Sequence, residues 1–162
     1  MTGIMKKMVA TLMALCLLFT ACAALADTEP PTFESMPQMV VEDEKTTVDE
    51  KAFQGQWVLK AGFAGTEYVD ESKLFDAYDF NFMPYVITEG KITQDIEDGE
   101  GEFRTIEMPY TFEAGELHGK DEKGRDFSVC LLEDGNILLS VFFPGEGGNV
   151  TDLNLFLVHP EA

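Results

Sequence analysis

The sequence predicts an all-β fold: a single antiparallel eight-stranded meander barrel with one short helix between its first and second strands. Three observations predict it. From residue 52 onward apolar and polar residues alternate at the two-residue period of a strand. Glycine-containing breaks of two to five residues separate most of these runs, the connections that antiparallel hairpins use. Of the three cysteines only Cys130 falls in this region, so no intramolecular disulfide can staple it. A region of about 110 residues is large enough to be held by one hydrophobic core.

The elements follow in order. Residues 56–63 form the first strand. A helix comes next: Asp70 caps it, Val69 and Leu74 can form a hydrophobic staple, and Leu74, Phe75 and Tyr78 make its apolar stripe. This helix would plug one end of a barrel or pack across its outer wall. Residues 80–88 form the second strand, apolar on both faces, so that something should cover its outside. Residues 91–97, 103–113 and 116–120 form the third to fifth strands, and 125–132, 136–143 and 153–158 the last three. Alternation is clearest in 103–113, where Ile106, Met108, Tyr110 and Phe112 share one face and Thr105, Glu107, Thr111 and Glu113 the other. Eight such strands can close and remove their free edges.

Upstream lie two further segments. Residues 1–26 have the layout of a secretory signal: Lys6 and Lys7, an uncharged apolar run from Met8, then Ala24-Leu25-Ala26 before Asp27. Cleavage after Ala26 ranks first. Lipidation at Cys22 is close behind, because Phe19-Thr20-Ala21-Cys22 resembles a bacterial lipobox, and a permanent anchor ranks third. All three outcomes place the rest of the chain outside the cytoplasm, secreted or anchored at the cell surface. Residues 27–51 contain Pro30, Pro31 and Pro37 and the acidic run Glu42-Asp43-Glu44, and read as a disordered acidic linker. Within it Met39-Val40-Val41 could add a short strand. The barrel domain is then 52–162.

The whole chain carries a net charge of −19, from 11 basic and 30 acidic residues. Two of the basic residues and none of the acidic ones lie in 1–26, so the exported part has 9 − 30 = −21. Such a surface repels phosphates, which argues against nucleic acid and anionic membranes as partners. Membrane contact is expected only through an uncleaved leader or a lipidated Cys22.

Residues 53–59 open the first strand with Gly55-Gln56-Trp57, a Gly-x-Trp. Together with a helix after the first strand and hairpins such as Glu89-Gly90-Lys91-Ile92, this resembles small exported bacterial lipocalin-like domains over residues 52–162. The resemblance implies an up-and-down barrel with Trp57 packed across one end. The chain is shorter than lipocalins and has no helix after the last strand, which leaves a partly open barrel or a sandwich as alternatives. An eight-stranded barrel has an interior filled by side chains or holding one small ligand. Trp57, Leu59, Phe82, Ile106, Tyr110, Phe112, Phe127 and Leu139 are the candidate lining, with Val129, Val141 and Leu155 also pointing inward. Tyr110 could offer a hydroxyl to a ligand. The same residues describe an ordinary filled core.

No catalytic constellation is evident. His118 and His159 lie far apart without zinc-ligand spacing, and read as surface residues. Ser35, Ser72, Ser128 and Ser140 lie in no nucleophile elbow. The acidic cluster Asp95, Glu97, Asp98, Glu100 and Glu102 lacks the glycine a calcium loop needs, and reads as a solvated hairpin tip. Gly145-Glu146-Gly147-Gly148 is followed by neither lysine nor helix, so it is no phosphate loop. Cys130, between Val129 and Leu131, reads as a small half-buried apolar residue. The expectation is an exported, non-enzymatic module without cofactor or metal, which binds a small hydrophobic molecule. The alternative is a solid-core module that contacts an envelope protein.

Overall fold

Alternation along the chain becomes a closed cylinder. The computed structural model describes residues 29–97, 101–144 and 150–160. Among these, the strands are β1 (Gly55–Ala64), β2 (Glu67–Val69), β3 (Tyr85–Thr88), β4 (Lys91–Glu97), β5 (Phe103–Glu113), β6 (Glu116–Lys120), β7 (Asp126–Leu131), β8 (Ile137–Pro144) and β9 (Val150–Val158). One α-helix, α1 (Glu71–Tyr78), lies between β2 and β3. Each strand from β3 to β9 pairs antiparallel with the next, β3 pairs with β1, and β9 pairs back to β1. These eight strands close an antiparallel barrel, as the sequence predicts.

β2 is a ninth, short strand that was not expected. It pairs with β1 through Gly62↔Val69, Phe63↔Tyr68 and Ala64↔Glu67. β1 therefore changes neighbours along one edge. Gly55, Gln56 and Trp57 pair with β3, whereas Gly62 to Ala64 pair with β2. The other edge of β1 pairs with β9 from Val58 to Ala64, with a bulge between Leu59 and Ala61.

The second barrel strand is shorter than expected: residues 80–84 are irregular and the ladder starts at Tyr85. Pro84 has no N–H to donate, so a continuous ladder through it would lose a bond. Among the described residues Phe82 and Met83 of this segment remain partly exposed. α1 forms as its sequence suggests. The Asp70 carboxylate accepts from the Lys73 N–H at 2.8 Å, and Val69 and Leu74 are both buried. At its other end Asp79 takes a left-handed conformation (φ 52°), its N–H bonding to the carbonyl oxygens of Leu74 and Phe75. A Cβ on Gly62 would lie 2.9 Å from Leu74 Cδ1, so the missing side chain makes room for the helix. Leu74 thus joins the interior core, and α1 borders one end of the barrel.

The barrel has two different ends. At one end, a tight 3-10 turn (Glu50–Phe53), Trp57, Tyr110, Phe112, Leu117 and Ile137 form a closed, side-chain-filled plug. Phe53 and Phe112 meet edge to face with centroids 6.2 Å apart. At the other end lie α1, residues 79–84 and the β6–β7 turn.

The structure departs from the expected disordered linker. From Pro31 on, the chain belongs to one compact unit with the barrel. Met39 forms a bridge with Leu132, the Val40 N–H donates to the Leu131 carbonyl, and the Glu133 N–H donates to the Gln38 carbonyl. Phe33 and Met36 pack on an outer-wall cluster of Cys130, Leu132 and Leu138. Phe33 also meets Phe63 edge to face at 5.5 Å. These apolar anchors are widely spaced, which is why composition alone reads as disorder. The expected leader at 1–26, Cys22 within it, and the loop residues 98–100 and 145–149 lie outside the described residues.

Candidate ligand cavity

A cavity of about 890 Å³ occupies the α1 end of the barrel. This lies within the roughly 300–1,000 Å³ typical of small-molecule sites. Its floor is aliphatic and aromatic: Ile92, Ile106, Met108, Phe127, Leu139 and Leu155. These residues sit on β4, β5, β7, β8 and β9, all on the inward face that strand alternation assigns them. Its mouth is aromatic. Phe75 and Tyr78 come from α1, Phe80 and Phe82 from the irregular segment, Phe103 from β5 and Phe143 from β8. Phe80 and Phe82 meet edge to face at 4.9 Å, and Tyr78 and Phe143 do so at 5.4 Å. Phe75 is 64% exposed, Phe103 62% and Phe82 41%, so apolar surface continues from the interior onto the rim.

Two polar constructions interrupt this lining. The first is buried. Gln94 Nε2 donates to the carbonyl oxygens of Asn81 at 3.0 Å and Met83 at 2.6 Å, which ties residues 79–84 to β4. Gln94 also shares a hydrogen bond with Tyr85, whose phenol is pushed above its usual range by burial. Both residues are neutral, and both Gln94 amide protons are committed to the two carbonyls.

The second is the β6–β7 turn. Asp121 Oδ1 accepts from the N–H groups of Lys123 and Arg125, each at 2.9 Å, and Oδ2 accepts from Arg125 Nε at 2.6 Å. The carboxylate thus shapes the turn and fixes the guanidinium. Arg125 then lies over the Phe143 ring, 4.3 Å from its centroid. Two further pairs cross the mouth, Lys123 with Asp79 at 2.5 Å and Arg104 with Glu122 at 2.8 Å. The Lys123 hydrogen bond and charge hold Asp79 below the ordinary carboxylate range.

Four of the eight candidate lining residues face this cavity: Phe82, Ile106, Phe127 and Leu139. The other four do not. Trp57 is fully buried at the closed end, where its Nε1–H donates to the Phe53 carbonyl at 2.8 Å and its ring stacks on His159 at 3.8 Å. Leu59 is half-buried against the core, and Phe112 packs beside Phe53. The Tyr110 hydroxyl is not offered to a ligand. It lies 2.7 Å from Glu50 Oε1 and 2.8 Å from the Thr88 carbonyl, shared between two acceptors. Burial and the Glu50 carboxylate push its phenol up to about 12.

Alternation missed Phe80, Tyr85, Gln94, Phe143 and the Asp121–Arg125 pair. The last had a readable signal, since Asp-Glu-Lys-Gly-Arg is an Asx-turn sequence between two strands. His159, expected at the surface, is solvent-exposed yet forms one face of the Trp57 stack.

Among the described residues no group of three or more His, Cys, Asp or Glu side chains converges as a metal site. None of their helices is long and apolar enough to cross a membrane. Compared with known proteins, the chain matches no family model and no curated sequence, so its own geometry carries the functional reading.

Proposed function

We propose that this protein is an exported, non-enzymatic, lipocalin-like module of the bacterial cell envelope that carries one small hydrophobic molecule in the open end of its barrel. The observation that carries this reading is the cavity of about 890 Å³, apolar at its floor and aromatic at its mouth. A solid-core interaction module would have filled that volume with side chains. The charged groups at the rim favour binding over catalysis. Three of the four carboxylates of the lining, Asp121, Asp79 and Glu122, each hold a cation at 2.5–2.8 Å, and the neutral Tyr85 and Gln94 supply no base. Export rests on the leader at residues 1–26, with cleavage after Ala26 or lipidation at Cys22.

Burying methylenes contributes about 0.8 kcal/mol each. Ten of them give a gross of about 8 kcal/mol, which places affinity near micromolar before ordering costs. The test is fluorescence titration of the chain from Asp27 with N-phenyl-1-naphthylamine, a neutral apolar probe. Saturable binding at one site is expected. Leu139→Trp, which fills the floor, should abolish it, and the smaller change Ile106→Phe should weaken it. Phe112→Leu, at the closed end, should leave it intact. Absence of saturable binding, or equal binding by the filled variants, would overturn the reading.

A further inference from the structure

Resting on that reading, we infer that the cavity selects an organic cation, an alkyl- or arylammonium with an apolar body, over a carboxylate of the same body. Four carboxylates and three cations line the cavity: Asp79, Glu97, Asp121 and Glu122 against Arg104, Lys123 and Arg125. Every one of the three cations is already paired, at 2.8, 2.5 and 2.6 Å. A ligand carboxylate would have to share a cation whose charge one of these carboxylates already offsets. The most interior of these pairs is the hardest to break. Arg125 and Asp121 have side chains only 22% and 9% exposed, and Asp121 also holds the backbone of its own turn. Glu97 lines the same cavity, and no ion pair involves it among the described residues.

The lining supplies what a cation uses instead. The faces of Tyr and Phe rings attract cations, most strongly where water is excluded. Phe75, Tyr78, Phe80, Phe82, Phe103 and Phe143 border the mouth. One of these faces already holds a cation, because Arg125 sits over Phe143 at 4.3 Å. The remaining rings offer the same chemistry to a ligand's head while its tail reaches the aliphatic floor. The net charge of 9 − 30 = −21 from Asp27 onward acts in the same direction, drawing cations toward the mouth and repelling anions.

Isothermal titration calorimetry with three ligands of equal tail, decyltrimethylammonium, decanol and decanoate, tests this on the chain from Asp27. At low ionic strength the ammonium should bind about tenfold or more tightly than decanoate, with decanol between them. The ratio should narrow in about 0.5 M NaCl, where exposed charges are screened. Glu97→Gln should narrow it by about two- to threefold at low salt. Ammonium binding should disappear in Leu139→Trp and weaken in Ile106→Phe. Decanoate binding as tightly as the ammonium would overturn the selectivity and leave the cavity reading standing. Ammonium binding that survives both filled variants would place the cation on the outer surface and overturn the inference. No binding of any of the three would remove the cavity reading and this inference together.

Discussion

Trp57 separates what holds this barrel together from the cavity proposed to take a ligand. Its side chain is fully buried at the closed end, its Nε1–H donates to the Phe53 carbonyl at 2.8 Å, and its ring stacks on His159 at 3.8 Å. Trp57→Ala removes the largest side chain of that plug and should cost about 3–5 kcal/mol. Trp57→Phe keeps most of the ring but leaves the Phe53 carbonyl without its donor, a loss of about 1–2 kcal/mol. For a compact unit of about 130 residues, 1 kcal/mol moves the melting temperature by about 4 °C. The expected shifts are therefore about 12–20 °C and about 4–8 °C. The chain has a single tryptophan, so unfolding in urea is best followed by far-ultraviolet circular dichroism. The same variants should bind N-phenyl-1-naphthylamine within about twofold of wild type while folded, because Trp57 does not face the cavity. A Trp57→Ala variant destabilised by less than about 1 kcal/mol would refute the plug. A Trp57→Phe variant with unchanged stability and tenfold weaker binding would put the indole in the ligand site.

Three further outcomes follow from particular contacts. A Cβ on Gly119 would lie 2.4 Å from the Pro109 carbonyl oxygen and 2.5 Å from Phe127 Cζ. Gly119→Ala should cost about 2–3 kcal/mol in urea unfolding, and Phe127→Leu in the same chain should restore only part of it, because the backbone clash remains. Cys130 lies buried beneath Phe33 and Met36, and burial pushes its thiol up from 9.0 to about 11. Folding then holds a proton that the unfolded chain releases, so this contribution makes stability fall between about pH 9 and 11, and Cys130→Ala should flatten that part of a pH series of melts. In thiol labelling at pH 8, Phe33→Ala with Met36→Ala should speed modification of Cys130. The Asp70 cap is held below 3.8 by the Lys73 N–H, so its stabilisation is present above the unfolded value and lost as pH falls through the folded one. Asp70→Asn should make an acid melting series shallower in that window.

Strand positions were legible because each barrel strand buries one face. Alternation reproduces β4, β5 and β6 to the residue. Where the period is too short to count, the reading fails. Glu67–Val69 is three residues long, and its pairing is set by β1 folding back rather than by its own pattern. The apolar run at 80–84 looked like strand, but Pro84 interrupts the donor series and Gln94 holds the segment through two carbonyls instead. The site was half legible for a related reason. Alternation tells inward from outward but not depth along the axis, which the stagger between strands decides. Ile106 and Tyr110 share one face of β5, yet Ile106 lines the cavity while Tyr110 bonds to Glu50 at the opposite end.

The cavity's position follows from where the sheet stops being continuous. At the closed end β1 is laddered to β3 on one side, and from Val58 onward it is laddered to β9 on the other. Beyond Trp57 the β3 side loses its partner, and past a gap the same edge meets β2. The chain needed to bridge that gap, α1 and residues 79–84, supplies four of the six aromatic rings at the mouth: Phe75, Tyr78, Phe80 and Phe82. These rings are positioned by helix caps and the Gln94 side chain rather than by ladder hydrogen bonds. Ladder bonds are cooperative, so changing one strand disturbs its neighbours, whereas capped turns change locally. The lining of the mouth can therefore be altered while the plug around Trp57 and the eight-strand closure keep the fold. That division leaves an eight-stranded barrel an open cavity at one end and a filled core at the other.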